Sequence, residues 1–331
     1  MTRHAIDVSV AIDDYDHVRR LAEGHVTVDG VRFTFHRTSR PAETFHRQLA
    51  HAEWDVAELS LAQFCHGVAA GDDRFVGLPV FPSRRFRHSS VVVRGDSVLH
   101  DLGQLAGRRV GIPEWGQTAG VWVRGMLADR HDVGLGSVTW FQGGVDAPGR
   151  PEHAELALPP GVVVHRVADR GLAAMLLDGS IDAVISARFP QRLLASGQAR
   201  TLLADCRTAE AAYFADTGIV PIMHVVVLRH SLHDRHPWLA RDLVNAFTEA
   251  RDWSLARLRS GGTPMYPVPH LPELVAEAIG AFGGDLWPYG VEGNRHALQT
   301  FCRYACEQGL TARPLAVEEL FAPSTTDEFH G

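Results

Sequence analysis

Apolar and polar positions alternate with a period of two over residues 5–12 (AIDVSVAI) and again over 31–37 (VRFTFHR), which predicts two strands. Between them a charged loop leads into a helix start at 14–21, and a second helix is predicted over about 42–52. The run WDVAELSLAQFCHGVAAG then predicts a short buried strand that opens into a helix. This βαβ rhythm predicts a parallel or mixed sheet. After SVVVRGDSV a new unit begins, with a helix, a strand in RRVGIPE and a helix from near Thr118. VTWFQGG, GVVVHRVA, the helix GLAAMLLDG and the strand IDAVIS continue it.

The run TGIVPIMHVVVLRHSL has the character of RHSSVVVRGDSV: a histidine, an apolar β-branched run, then an arginine. The pair predicts two neighbouring crossover strands, one outbound and one returning. From His236 onward, PWLARDLVNAFTEARDWSLARLRS carries apolar residues at helical spacing and predicts helices that complete the first lobe. The expected architecture is α/β with two lobes, residues 1–93 with 224–331 and residues 94–223. A ligand cleft is expected between them, closing by a hinge motion.

With 331 residues and 45% apolar side chains, both lobes can bury a core. The net charge of -7 is spread along the chain, so no polybasic face predicts a nucleic-acid or anionic-lipid partner. No apolar run of the roughly 18 residues a membrane span needs is present, and acidic residues stand where a secretory leader would carry its apolar core. A cytoplasmic protein is expected, with self-association into a homo-oligomer allowed. The four cysteines form no CxxC pair and read as buried thiols, and the 19 histidines show no HxxxH or HExxH spacing, so no metal is expected.

Seven motifs, WDVAELSL, FVGLPVFPSRRFRHSS, GRRVGIPEW with TAGVWVRGML, WFQGG, TGIVPIMH, LWPYGVEGNRHALQTFCRYACEQGL and RPLAVEELFAP, run in order from Trp54 to Pro323, within a match that begins at Tyr15-Asp16. Together they resemble the 4,5-dihydroxyphthalate decarboxylase family. The resemblance implies a fold similar to type II periplasmic solute-binding proteins and loss of one carboxylate from a dihydroxylated phthalate. It also implies independence from organic cofactors. Trp115 departs from the family pattern, in which a tyrosine or phenylalanine follows Pro-Glu, and on a cleft-facing loop it would bear on the choice of substrate.

Such a reaction needs cations for the retained carboxylate, an acid near the ipso carbon, and a para phenol as electron source. Arg84, Arg85, Arg87 and His88 fall within five residues and are the expected carboxylate ligands, with His88 also a candidate acid or base and a surface basic loop of salt bridges as the alternative. Strand alternation would put Arg85 and Arg87 on one face and Arg84, Phe86 and His88 on the other. His224 opens the returning strand and is the leading proton donor, with a buried histidine satisfied by the backbone as the alternative. Asp16, beside Tyr15 at the end of the first strand, is a candidate acceptor of the phenolic proton, with a turn-forming aspartate as the alternative. Glu58, Ser60 and Thr118 lie where strands open into helices, as anion contacts or helix caps. Arg188 follows a second-lobe strand and is a candidate clamp from the opposite side. Trp287, Pro288, Tyr289, Asn294 and Arg295 form a motif suited either to packing or to a lid. The rival from another class is a solute-binding protein without catalysis, and a third reading is a different reaction on an aromatic acid.

Overall fold

The computed structural model describes residues 5–149, 156–260 and 266–326. Strands β1 (Ile6–Ala11), β2 (Val31–His36), β3 (Val56–Ser60) and β4 (Phe75–Leu78) come from the first quarter of the chain. Strands β5 (Val91–Arg94), β6 (Arg109–Ile112), β7 (Thr139–Gln142), β8 (Val164–Arg166), β9 (Ala183–Ile185) and β10 (Ala199–Thr201) follow, and β11 (His224–Arg229) comes last. The helices interleaved with them are α1 (Asp16–Ala22), α2 (Pro41–His51), α3 (Leu61–Ala69), α4 (Thr118–His131), α5 (Leu172–Leu177), α6 (Gln191–Ala195) and α7 (Cys206–Thr217). Helices α8 (His230–Arg235), α9 (Leu239–Arg259), α10 (Leu271–Phe282) and α11 (Arg295–Glu307) close the chain.

Two mixed sheets result, one ordered β2-β1-β3-β11-β4 and the other β10-β5-β9-β6-β7-β8. In the first, β1 runs parallel to β2 and β3, while β11 inserts antiparallel between β3 and β4. All five residues of β3 are buried, as are Val225 to Leu228 of β11. Continuous burial of this kind belongs to strands covered on both faces. Glu58 is the one charged residue in β3 and has no contact with solvent.

The two crossover strands are not neighbours: β5 lies in the second sheet between β10 and β9, and β11 lies in the first. Each completes its own sheet by antiparallel pairing, which satisfies its backbone groups locally. The crossings touch in the short segments beside those strands. Arg84 bridges Ile222, the Arg85 amide donates to the Pro221 carbonyl at 3.0 Å, and the Met223 amide donates to the Ser83 carbonyl at 2.8 Å. The chain therefore changes sheets between Leu78 and Val91, ahead of β5.

Helix α9 buries Leu239, Leu243, Ala246, Phe247 and Ala250, a stripe at three- and four-residue spacing, and packs on α1. Helix α11 departs from the expectation that the last helices serve the first half alone, because it rests on both α3 and α4. A Cβ at Gly125 of α4 would come within 2.3 Å of the Tyr304 ring, so only glycine allows this approach. Just beyond α11, Gln308 accepts from Arg124 Nε at 2.8 Å and donates to the Val121 carbonyl at 2.9 Å. Arg124 is fully buried and also donates to the Trp115 carbonyl at 2.5 Å. Arg124→Ala is expected to cost at least about 2 kcal/mol, read as a lower urea midpoint, because it removes two buried hydrogen bonds, to Gln308 Oε1 and to the Trp115 carbonyl.

All four cysteines are free, with Cys65 and Cys302 buried and Cys206 and Cys306 partly exposed. Among the described residues no helix is long and apolar enough to cross a membrane.

Candidate active site

The first sheet sets the site. In the β3–β11 register Ser60 faces His224 and Glu58 faces Val226, so Glu58 and His224 are diagonal neighbours on one face. His224 Nδ1 lies 2.5 Å from Glu58 Oε1. Tyr15, just before α1, donates its hydroxyl to the same oxygen at 2.6 Å, and the Asp13 amide donates to Oε2 at 3.2 Å. The Tyr15 hydroxyl is also 3.5 Å from His224 Nδ1, and Phe45 of α2 sets its edge on the His224 ring at 4.8 Å. The Glu58 side chain is wholly enclosed, whereas His224 keeps 18% of its side chain exposed. With Nδ1 turned to the carboxylate, Nε2 is the nitrogen left to meet a ligand.

Burial opposes ionisation of Glu58, but the charge and hydrogen bond of His224 and the Tyr15 hydroxyl outweigh it, holding the carboxyl below its usual range. Burial, followed by the Glu58 charge, pushes the Tyr15 phenol far above its ordinary value. Tyr15 is therefore a hydrogen-bond donor at neutral pH. Glu58, expected as a substrate contact, instead has both oxygens engaged by protein donors.

His17, in the first turn of α1, stands beside this group. Its Nε2 donates to the Pro82 carbonyl at 3.0 Å, and its ring lies between Tyr15 at 5.2 Å and Trp287 at 5.4 Å. Burial pushes its pKa down to about 4. Nothing in the local pattern distinguishes His17 from a surface histidine, and sequence reasoning missed it.

The arginine segment divides. Arg84 turns inward and donates to the Pro288 carbonyl and to Asn294 Oδ1, with burial pushing its pKa down to about 10. Both bonds leave from Nη2 and pin the Trp287–Asn294 motif, while Arg84 Nε is buried and, among the described residues, meets no acceptor. Arg85 is exposed. Arg87 points its Nε at Met223 Sδ, 3.0 Å away on the residue before His224, and burial then the Arg85 charge push its pKa down to about 10. Among the described residues its terminal nitrogens meet no acceptor. Such a half-buried, uncompensated fork suits a carboxylate.

His88 takes a different direction. It is buried against Tyr213 of α7 at a ring distance of 5.5 Å and lies 4.0 Å from Glu210, with its Nδ1 unpartnered. Burial, then His131 and Arg130, push its pKa down to about 4. Its contacts are with α7 and not with the Glu58 group. Asp16 also turns away, accepting from Ser254 Oγ of α9 at 2.5 Å and pairing with Arg19 at 3.4 Å. It ties α1 to α9, and Glu58 occupies the place expected for it beside Tyr15.

Ser60 caps α3, accepting from the Gln63 amide at 3.5 Å, and shares a 2.8 Å hydrogen bond with Thr118 at the start of α4. The two hydroxyls join the first sheet to the first helix of the second unit. Arg188 is exposed after β9, its carbonyl accepting from Ser186. Trp115 does not line a cleft. It is 1% exposed, donates to the Gln308 carbonyl at 2.8 Å, packs on Trp140 at 5.5 Å and carries the Arg124 guanidinium over its ring at 4.0 Å. Trp115, expected on a cleft-facing loop, is thus a core residue beneath the chain that follows α11. Arg295 pairs with Glu292 and Glu318, and Tyr289 is buried beside Arg251, so the Trp287–Arg295 motif packs. Among the described residues no group of three or more His, Cys, Asp or Glu is placed to hold a metal ion.

No family model matches the sequence. It is 36% identical over 326 residues to a 4,5-dihydroxyphthalate decarboxylase of Comamonas testosteroni, covering 98% of each chain. It is 40% identical over 186 residues to one of Pseudomonas putida, covering 56% of this chain and 72% of that one. The fold resembles the periplasmic aliphatic sulphonate binding protein SsuA of Escherichia coli with a TM-score of 0.54 at 13% identity, over 98% of this chain and 94% of that one. That likeness identifies the two-lobed solute-binding architecture. With the near-complete match to the first relative, the chain belongs to the 4,5-dihydroxyphthalate decarboxylase family.

Proposed function

We propose that the protein decarboxylates 4,5-dihydroxyphthalate to protocatechuate and carbon dioxide in a cleft between its two lobes, with His224 as the acid. The observation that carries this reading is His224 held by its Nδ1 on the enclosed Glu58, next in sequence to the residue that Arg87 contacts. Arg87 binds a substrate carboxylate. His224 gives its Nε2 proton to the ipso carbon, drawing on electrons from the para hydroxyl. The C–C bond then breaks, its pair restores the aromatic ring, carbon dioxide leaves, and water returns a proton to His224. One proton is consumed per turnover. The anionic Glu58 keeps the imidazole oriented throughout, as an orienting carboxylate does in other acid–base pairs.

The test is incubation of the purified protein with 4,5-dihydroxyphthalate in heavy water. Protocatechuate carrying one deuteron at the vacated carbon is expected. Absence of product from this and every other hydroxyphthalate would overturn the proposal. Arg87→Ala is expected to raise the KM roughly 10- to 100-fold, the scale of a lost charge-assisted hydrogen bond. Arg87→Lys should recover only part of this, because an ammonium lacks the bidentate fork. Initial rates over a substrate series measure both.

A further inference from the structure

We propose that His17 is the residue that recognises the phenol of the substrate, its Nδ1 accepting the O–H of the ring hydroxyl para to the departing carboxylate. This rests on the decarboxylase reading above and adds the group that distinguishes a hydroxylated ring from a bare phthalate.

Three observations carry it. The Nε2 hydrogen of His17 is committed to the Pro82 carbonyl at 3.0 Å, which fixes the tautomer and leaves Nδ1 with a lone pair. No described residue donates to that nitrogen, and it is not among the buried polar atoms sealed from solvent. It is an acceptor open to a ligand. The ring is held on two sides, by Tyr15 at 5.2 Å and by Trp287 at 5.4 Å, and Trp287 is itself anchored by a 3.0 Å hydrogen bond from Nε1 to the Phe81 carbonyl.

The third observation is the spacing. The Tyr15 ring touches His17, while its hydroxyl lies 3.5 Å from His224 Nδ1. The Tyr15 side chain thus reaches from the His17 ring to the Nδ1 side of His224. A substrate phenol lying alongside Tyr15 spans the same interval, its ipso carbon toward His224 and its para hydroxyl toward His17. Burial holds the His17 imidazole neutral at physiological pH, with its pKa pushed down to about 4. A neutral imidazole polarises the O–H without removing its proton, which raises electron density at the carbon to be protonated. It also presents no donor at Nδ1, so a ring position bearing a second acceptor is disfavoured there.

The test uses equilibrium binding of three compounds that differ at one ring position: 4-hydroxyphthalate, 4-methoxyphthalate and phthalate. Wild-type protein is expected to bind 4-hydroxyphthalate roughly tenfold more tightly than the other two, since only the hydroxyl can donate, and one buried neutral hydrogen bond is of that size. His17→Gln keeps an amide within reach of Pro82 but has no acceptor at the Nδ1 position. It is expected to bind all three alike, with phthalate affinity unchanged. Preference for the hydroxyl retained in His17→Gln, or equal loss of affinity for all three, would overturn the assignment. So would wild-type protein that binds the methoxy and hydroxy compounds equally, a comparison that stands even where the variant fails to fold. Failure of the underlying reading is a separate outcome: wild-type protein would release no carbon dioxide from 4,5-dihydroxyphthalate. Turnover without the hydroxyl preference removes His17 alone.

Discussion

Replacing His224 with alanine is expected to lower kcat about 10²- to 10⁴-fold, the range that a positioned general acid supplies. The KM should change much less, because the proposed carboxylate anchor, Arg87, contacts Met223 Sδ and not the imidazole. The fold should survive with reduced stability, because the enclosed Glu58 loses the charge and hydrogen bond of His224 that chiefly offset its burial. Glu58 would keep the Tyr15 hydroxyl at 2.6 Å and the Asp13 amide at 3.2 Å, and the space vacated is already partly open to solvent. Rapid-quench or steady-state rates measure the first effect, and a urea titration the second. Full activity in the alanine variant would remove His224 from the mechanism.

Glu58→Gln is expected to damage both activity and stability, and the stability effect carries a pH signature. Glutamine can accept through only one of its two terminal atoms, whereas Glu58 accepts at both. The amide nitrogen would therefore oppose either the Asp13 amide or the pair formed by Tyr15 and His224. Leaving a buried donor unsatisfied costs about 1–3 kcal/mol. In the folded protein the charge and hydrogen bond of His224 hold the Glu58 carboxyl below the ordinary glutamate value of 4.5. Its contribution to stability is therefore complete above that value and is lost as the pH falls through the lower, folded-state pKa. Wild-type protein should show this part of its acid destabilisation below about pH 4.5, and the glutamine variant should lack it. Urea midpoints measured across pH 3 to 7, a range set by that linkage, provide the comparison. A variant whose acid limb parallels the wild type would show that Glu58 is not ionised in the folded protein.

Much of the scaffold was legible from residue pattern. The alternation in residues 5–12 and 31–37 became β1 and β2, and the spacing in 237–260 became the buried stripe of α9. These follow from periods of two and 3.6, which any chain segment reports about itself. The arginine segment and His224 were also marked by composition. Their meeting was not, since it depends on the Ser83–Met223 contact between crossings that lie more than a hundred residues apart.

Side-chain direction was misread where the backbone is irregular. Alternation assumes a continuous strand, but Arg84 is an isolated bridge partner and not part of a strand, so it turns into the Pro288–Asn294 pocket independently of its neighbours. Trp115 was taken for a cleft residue because it follows a strand end. It is instead covered by the turn after α11, an element nearly two hundred residues later.

By itself the sequence determined the α/β class, the family motifs and the list of chemically able side chains, because these are local properties of residue type and spacing. Only the tertiary structure decided which of those side chains act together. Tyr15, Glu58 and His224 are separated by 43, 166 and 209 positions taken in pairs. Contacts across such separations are set by strand order and register, which require the assembled sheet and cannot be read from any segment alone.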